Sequence, residues 1–450
     1  MNNSLIAPYA LLPGGWAADV RIDIDADGTI ASITPDSPHR EARTLNGPVI
    51  AGMPNVHSHA FQRAFAGRAE RGETGSENFW TWRRAMYDLA ARITPDDLEA
   101  IAAHVYVEML QAGYTAVGEF HYLHHGVDGR PYSRRSEMGQ RLLAAADEAS
   151  IGITLLPVLY RWSGFGQAPP AAEQARFVND VGAFVELFDE LAPWCRTADR
   201  RLGIAPHSLR AVAGDDLRAV LDAVNERDPE APIHLHVAEQ TAEVEAALDV
   251  LGMRPVEWLT EHLPLSRRWC LVHATHMTAA EIDALAPSGA VVGLCPTTEG
   301  NLGDGIFPLA AWLNAGGATA IGSDSHVGID VGEELRWLEY GQRLRGRRRT
   351  IAPSPEALYS DAARFGGRAL GRTIGTLLAG ARADFVVLDA NDPALYGDIA
   401  TLLDRYVIAG GRHALRDVYV GGVAIVEGGR HRRQAAIAQR YRSTLAKLGF

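Results

Sequence analysis

The order of apolar and polar positions gives the chain two textures. From about residue 50 to residue 375, short apolar runs alternate with stretches of helical periodicity, the pattern of strand–helix units built around a parallel sheet. Eight runs read as strands: Val49–Met53, Thr115–Phe120, Ile153–Leu159, Leu202–Ala205, Ile233–Val237, Cys270–His273, Ala290–Leu294 and Ala318–Ile321. Between them, segments such as Pro95–Ala112, Glu137–Ala149 and Ala242–Leu251 place apolar residues at helical spacing. Eight such units predict a closed (β/α)8 barrel, whose chemistry sits at the C-terminal ends of its strands.

The two ends of the chain read differently. Val20, Ile22 and Ile24 alternate with Arg21, Asp23 and Asp25, and Asp27-Gly28 supplies a hairpin turn before Ile30. Strand texture returns at Asp384–Leu388 and at Val418–Val426. The expectation is therefore an α/β protein with a TIM barrel over residues 51–375. A small β-sandwich domain is assembled from residues 1–50 and 376–450. Ala435–Leu448 reads as an exposed helix, and the basic run Arg343–Arg349 as a solvated helix end or loop.

Composition narrows the partners. With 47% hydrophobic and 22% charged residues among 450, the chain is an ordinary globular one. A formal net charge of -12 counts against a nucleic acid or an anionic membrane as partner, both of which want a basic face. Cys195, Cys270 and Cys295 lie far apart, form no C-x-x-C and read as buried thiols in a reducing compartment. The N-terminal apolar stretch lacks a basic flank and is broken by Pro8 and Pro13, so neither a signal peptide nor a membrane span is expected. The expected location is the cytoplasm. Lys447 is the sole lysine.

The polar residues at the strand ends carry the chemistry. His57 and His59 follow the first run; residues two apart on a strand point the same way, so both imidazoles face one space. His236 lies in the fifth run and Asp324 just beyond the eighth. Three imidazoles and a carboxylate suit one divalent ion, Zn2+ or Fe2+, with positions left open for water. Glu239, three residues past His236, is placed to carry a proton between water and a leaving nitrogen, and Asp324 to accept a proton as the hydroxide attacks. His273, ending the sixth run, is placed to stabilise the reacting centre. Singly, each of these residues is more often a cap or an ion-pair partner; agreement among several strand ends at one rim favours catalysis. His124, His125, His234, His276 and His326 read as structural or solvent-facing. Phe79, Trp80 and Trp82 read as core packing ahead of a loop lid.

These residues resemble the amidohydrolase superfamily: His57-x-His59, His236, His273 and Asp324 match its first-, fifth-, sixth- and eighth-strand positions. His236-x-x-Glu239 resembles its deaminase branch, in which the glutamate shuttles protons. Binuclear members bridge their metals with a carboxylated lysine; with no lysine before Lys447, one metal is implied, Zn2+ first and Fe2+ as the alternative. The longer runs MPNVHSHAFQRAFAGRAE, NFWTWRRAMY, GEFHYLHH, GIAPHSLRAV and HLHVAEQ resemble the branch that hydrolyses N-formimino-L-glutamate to N-formyl-L-glutamate and ammonia in histidine degradation. By that resemblance Gln62, Tyr122, His207 and Arg210 contact the substrate, and Arg83 joins them. Such a small anionic substrate suits guanidinium groups, which grip a carboxylate bidentately. The alternatives are deamination of N-formimino-L-aspartate or of a heterocyclic amine and, remotely, a barrel without catalysis. A homodimer is the assembly that similar proteins suggest.

Overall fold

The structure, a computed structural model, describes residues 3–38, 42–68 and 79–450. Eight parallel strands form the barrel: β1 (Met53–Ser58), β2 (Tyr114–His121), β3 (Gly152–Leu159), β4 (Arg200–Leu202, continued by Ala205–Pro206), β5 (Ile233–Val237), β6 (Trp269–His273), β7 (Val291–Leu294) and β8 (Ala318–Ile321). Strands β1 to β4 pair in sequence order, as do β5 to β8. Two single parallel bridges join these halves: Ile204 with Ile233 and, at the other seam, Ser58 with Asp324. Every residue of β1, β2, β3, β5 and β6 is buried. Helices cover the outer face while side chains fill the interior, which is why these strands read as nearly unbroken apolar runs.

The first strand differs from the sequence expectation. Val49–Ala51 belongs to the other sheet, where it pairs antiparallel with Phe385–Val387, and the barrel strand begins at Met53. Gly52 makes the transition between them. A Cβ there would lie 2.3 Å from the Thr115 hydroxyl oxygen, so the crossing needs a residue without a side chain.

Among the described residues, nine strands from both ends hydrogen-bond as one sheet. Phe385–Leu388 ties the ends together, since it pairs with Val49–Ala51 on one side and with Leu415–Tyr419 on the other. The inward residues anticipated by alternation, Val20, Ile22 and Ile24, are buried in one core with Phe385, Val387 and Tyr419. The Phe385 and Tyr419 rings stack there with centroids 4.5 Å apart.

Local chemistry sets the long helix behind β1 and β2. Thr94 caps Pro95–Gln111, accepting from the Asp97 amide at 3.3 Å, while Pro95 occupies a first-turn position that needs no N–H donor. The C-terminal helix, Gln434–Leu448, is less exposed than its sequence suggests. Ile437 and Leu448 are buried, and Lys447 Nζ lies 2.9 Å from Asp97, because the helix packs on Pro95–Gln111. The Arg343–Arg349 run does close a helix, Val331–Gly346, with exposed side chains beyond it. All three cysteines are buried and unpaired. Among the described residues, no helix is long and apolar enough to cross a membrane.

Candidate metal centre and active site

The rim where β1 meets β8 is held by the backbone itself. The Asp324 amide donates to the His57 carbonyl at 3.0 Å, and the His59 amide donates to the Asp324 carbonyl at 3.1 Å. A side-chain lattice backs this seam. Asn55 bonds Ser323 through its amide group at 2.6 Å and through the Ser323 N–H at 3.1 Å. Ser58 donates to Glu119 at 2.6 Å and lies 3.1 Å from the His326 ring. Glu119 also accepts from the Ala60 amide at 2.8 Å, which fixes the chain just past His59. Burial pushes the Glu119 carboxyl up to about 7 against those three donors, Ser58, Ala60 and Tyr106.

The side chains converge above this lattice. His57 Nε2 lies 3.1 Å from His59 Nε2 and 3.0 Å from His236 Nε2. Asp324 Oδ1 is 3.5 Å from His57 Nε2 and 3.4 Å from His59 Nε2. His59 Nδ1 donates to the Phe120 carbonyl at 2.9 Å and His236 Nδ1 to the His207 carbonyl at 3.2 Å. Because a carbonyl only accepts, the proton of each neutral ring sits on Nδ1 and a lone pair occupies Nε2. Burial keeps the rings neutral, with His57 lowered to about 3 and His59 and His236 also below the ordinary value. Burial alone would raise Asp324, but the neighbouring His57, His59 and His273 outweigh it and hold the carboxyl well below the usual range. Lone pairs from neutral nitrogens and one carboxylate therefore point at a common space, a donor set that fits a divalent cation.

Beside this set lies a pocket of about 610 Å³ lined by His59, Gln62, Trp82, Arg83, Met86, Tyr87, Tyr122, Tyr160, Phe177, His207, Arg210, His236, Glu239, His273, Leu302 and Asp324. Every residue expected to bind substrate faces it, as do Glu239, His273 and the proposed ligands other than His57. Gln62 Nε2 donates to the Tyr122 hydroxyl at 2.8 Å. Arg83 donates to Tyr87 at 2.7 Å and to Tyr160 at 3.2 Å. Arg210 lies 3.8 Å from Glu239, and its buried Nε has no hydrogen-bond partner among the described residues. His273 Nε2 stands 3.8 Å from both Glu239 and Asp324. Burial alone would lower His273, but Glu239, Glu299 and Asp324 together raise it to about 10, so it is cationic. Burial raises Glu239, against the opposing pull of His273 and Arg210.

Sequence reasoning missed Glu119, Glu299, Tyr87, Tyr160 and Gln174. Glu119 had a visible signal, a lone carboxylate inside the apolar second run. Glu299 had none, since its partner His273 ends a different strand. Trp82, read as core, borders the pocket, whereas the side chains of Phe79 and Trp80 lie outside the described residues. The five histidines that the sequence left without a role have structural bonds. His124, His125, His234 and His276 donate to the carbonyls of Val158, Val178, Ala369 and Asp304, and His326 joins the seam lattice.

A TIM barrel with a cluster of imidazoles and a carboxylate at the β1–β8 seam, and a buried carboxylate beyond β5, is the architecture of a metal-dependent hydrolase. The chain belongs to the amidohydrolase family, whose model matches residues 49–424. A second model, described as the N-terminal domain of formimidoylglutamate deiminase, matches residues 4–42. The chain is 48% identical to a formimidoylglutamate deiminase of Pseudomonas aeruginosa, with 99% of each sequence covered. It is 30% identical to a 5-methylthioadenosine/S-adenosylhomocysteine deaminase of Natronomonas pharaonis, over 86% of this chain and 83% of the relative. The crystal structure of an amidohydrolase from Brucella melitensis superposes with a TM-score of 0.93 at 45% identity, covering 100% of both chains.

Proposed function

We propose that the protein hydrolyses N-formimino-L-glutamate to N-formyl-L-glutamate and ammonia, a step of histidine degradation. The observation that carries this reading is the 48% identity along 99% of the chain to a formimidoylglutamate deiminase. The pocket supports it with charges matched to such a molecule: Arg83 and Arg210 for carboxylates, Glu239 and Asp324 near the place of an amidinium carbon.

His57, His59, His236 and Asp324 would hold one divalent ion, Zn2+ before Fe2+ from the nitrogen-rich set. Bound there, the ion would supply Lewis-acid activation of water, bringing its pKa to about 7. The protein's own groups do the rest. Glu239, its carboxyl raised by burial, accepts a proton from the attacking water and returns it to the departing nitrogen. His273, cationic and buried, stabilises negative charge as it develops at the reacting centre. Arg210 and Arg83, with Gln62, Tyr122 and His207, bind and orient the substrate's carboxylates. Water adds to the formimino carbon and gives one proton through Glu239 to the terminal nitrogen; the bond from that carbon to that nitrogen then breaks as the remaining hydroxyl proton passes to Asp324, leaving N-formyl-L-glutamate and ammonia.

The same reading assigns residues 1–50 and 376–450 to one β unit and 51–375 to the catalytic barrel, within the residue at which Ala51 still pairs with Phe385. It places the enzyme in the cytoplasm, as a homodimer. Purified protein incubated with N-formimino-L-glutamate should release ammonia and N-formyl-L-glutamate in equal amounts. N-formimino-L-aspartate and a purine amine run in parallel should be poorer substrates. Ammonia from the purine alone would overturn the assignment.

A further inference from the structure

His273 is a residue of this site whose orientation its own strand does little to fix. It ends β6 with φ +68°, in the left-handed region that a residue with a Cβ rarely adopts, and Ala274 follows at φ +50°. Its Nε2 is 3.8 Å from Glu239 and 3.8 Å from Asp324, too far for either carboxylate to hold the ring by a hydrogen bond. The other ring nitrogen is held. Nδ1 lies 3.2 Å from Glu299 Oε1, and that same oxygen accepts the Cys295 amide at 2.9 Å. Glu299 sits in the short helix Pro296–Leu302, which leaves the end of β7, and is only 5% exposed.

We propose that Glu299 is the positioning residue for His273: its carboxylate accepts a hydrogen bond from Nδ1–H, locks the ring against the end of β7, and so aims Nε2 into the pocket beside Glu239. The physical case is the one that holds for other oriented imidazoles. A carboxylate on one ring nitrogen fixes tautomer and rotation, so the opposite nitrogen works at a defined place. Glu299 reaches neither the pocket lining nor the proposed metal ligands. Its effect on turnover therefore passes through His273. The tie from Oε1 to the Cys295 amide makes the anchor stiff, because moving the carboxylate would leave a buried N–H unpaired. The chemical part of this inference rests on the deiminase reading above; the geometric part does not.

Glu299→Gln keeps an oxygen able to accept from both N–H groups, whereas Glu299→Ala removes the acceptor. With N-formimino-L-glutamate, Glu299→Ala should lose about 10²-fold or more in kcat, as loss of an oriented acid–base partner does, with KM changed by less than a few-fold. Glu299→Gln should recover much of that loss. Both variants should retain the parent's metal content after reconstitution with Zn2+. Nitrogen-15 histidine spectra supply a readout independent of turnover: the His273 ring, assigned through His273→Asn, should show a protonated Nδ1 bonded to a carboxylate in the parent. In Glu299→Ala that signal should shift or exchange-broaden. A Glu299→Ala protein with kcat within twofold of the parent, or with an unchanged His273 signal, overturns the proposal. A kcat loss that tracks loss of bound metal does so too. If the parent itself spares N-formimino-L-glutamate, the substrate reading fails while the spectra still decide the role of Glu299.

Discussion

Gly322→Ala tests whether the β1–β8 seam sets the metal site. Gly322 follows β8 with its α-carbon against the back of His57. An added Cβ would lie 2.8 Å from both His57 Cβ and His57 N, and 2.9 Å from its carbonyl oxygen. Carbon pairs prefer about 3.5–4.0 Å, so β8 must retreat from β1 by roughly 0.7 Å or more. The neighbours are backbone atoms of a packed strand and cannot swing aside. The two bonds beside the clash, Asp324 N to His57 O at 3.0 Å and His59 N to Asp324 O at 3.1 Å, would stretch beyond useful length. Each contributes about 0.5–1.5 kcal/mol, which gives a stability loss of about 1–3 kcal/mol, the usual size of an overpacked core. The larger effect falls on the ligands. Metal sites tolerate about 0.2 Å in ligand distance, so moving Asp324 by several times that should weaken metal binding steeply. Metal content after dialysis against a competing chelator, together with the urea midpoint, measures both terms. Gly14→Ala, in open space with nothing within 4 Å, is the control. A Gly322→Ala protein with the parent's metal affinity and midpoint would refute the reasoning.

Glu239→Gln should keep its metal yet lower kcat by about 10²-fold or more, because the amide cannot carry the proton; unchanged ammonia release would remove Glu239 from the mechanism. Arg210→Gln should reduce kcat/KM for N-formimino-L-glutamate by about 10- to 150-fold, the worth of a charge-assisted bond of about 1.5–3 kcal/mol. Equal losses on substrates with and without a carboxylate would argue against that contact. His124, buried and lowered to about 3 by that burial, is neutral when folded but takes up a proton near 6.5 when unfolded. Its contribution is therefore complete above about pH 6.5 and is lost as pH falls toward 3, at about 1.4 kcal/mol per pH unit. Urea titrations between pH 4.5 and 6.5 should show that slope diminished in His124→Asn, and an identical slope would contradict it.

Much of the site was legible because a strand's period of two fixes which side chains share a face. His57 and His59, His236 and Asp324 lie where strand ends placed them, and that inference needed only the apolar runs. The first strand was misread because Val49–Ala51 and Met53–Ser58 form one apolar stretch, interrupted only by Gly52. Pro54, which has no N–H to donate, reads like a strand ending; the structure places it within the strand, at a shift in register with β2. The supporting carboxylates were hidden for a different reason. Glu119 meets Ser58 across 61 residues and Glu299 meets His273 across 26, and no local pattern encodes such pairs. Tyr87, Tyr160 and Gln174 escaped notice because single hydroxyl and amide groups carry no periodic signal, whether in the helix Phe79–Ala90 or past a strand end. They meet where Gln174 donates to Tyr160 at 2.6 Å and to Tyr87 at 3.2 Å, and where Arg83 donates to both tyrosines.

Strain at the rim follows from the same architecture. Ala238, His273 and Asp324 all leave their strands with positive φ, at +49°, +68° and +46°. Each such residue costs on the order of 1–2 kcal/mol, and here the cost falls beside or upon a residue that must face inward. A strand that continued in regular geometry would turn alternate side chains away from the barrel axis. Breaking the twist at these points turns His273 and Asp324 toward the same space as Glu239. The conformation persists because backbone bonds over-determine it. Ala274 N donates to the carbonyls of both Val237 and Val272 at 3.0 Å, and Asp324 is tied on both sides to β1. Glu243 further accepts from the amides of Ala238 and Glu239 at 3.2 Å, steadying the turn that carries Glu239. The geometry of the pocket's rim is thus held by backbone hydrogen bonds and by Glu243, so each strained turn persists as part of one bonded seam.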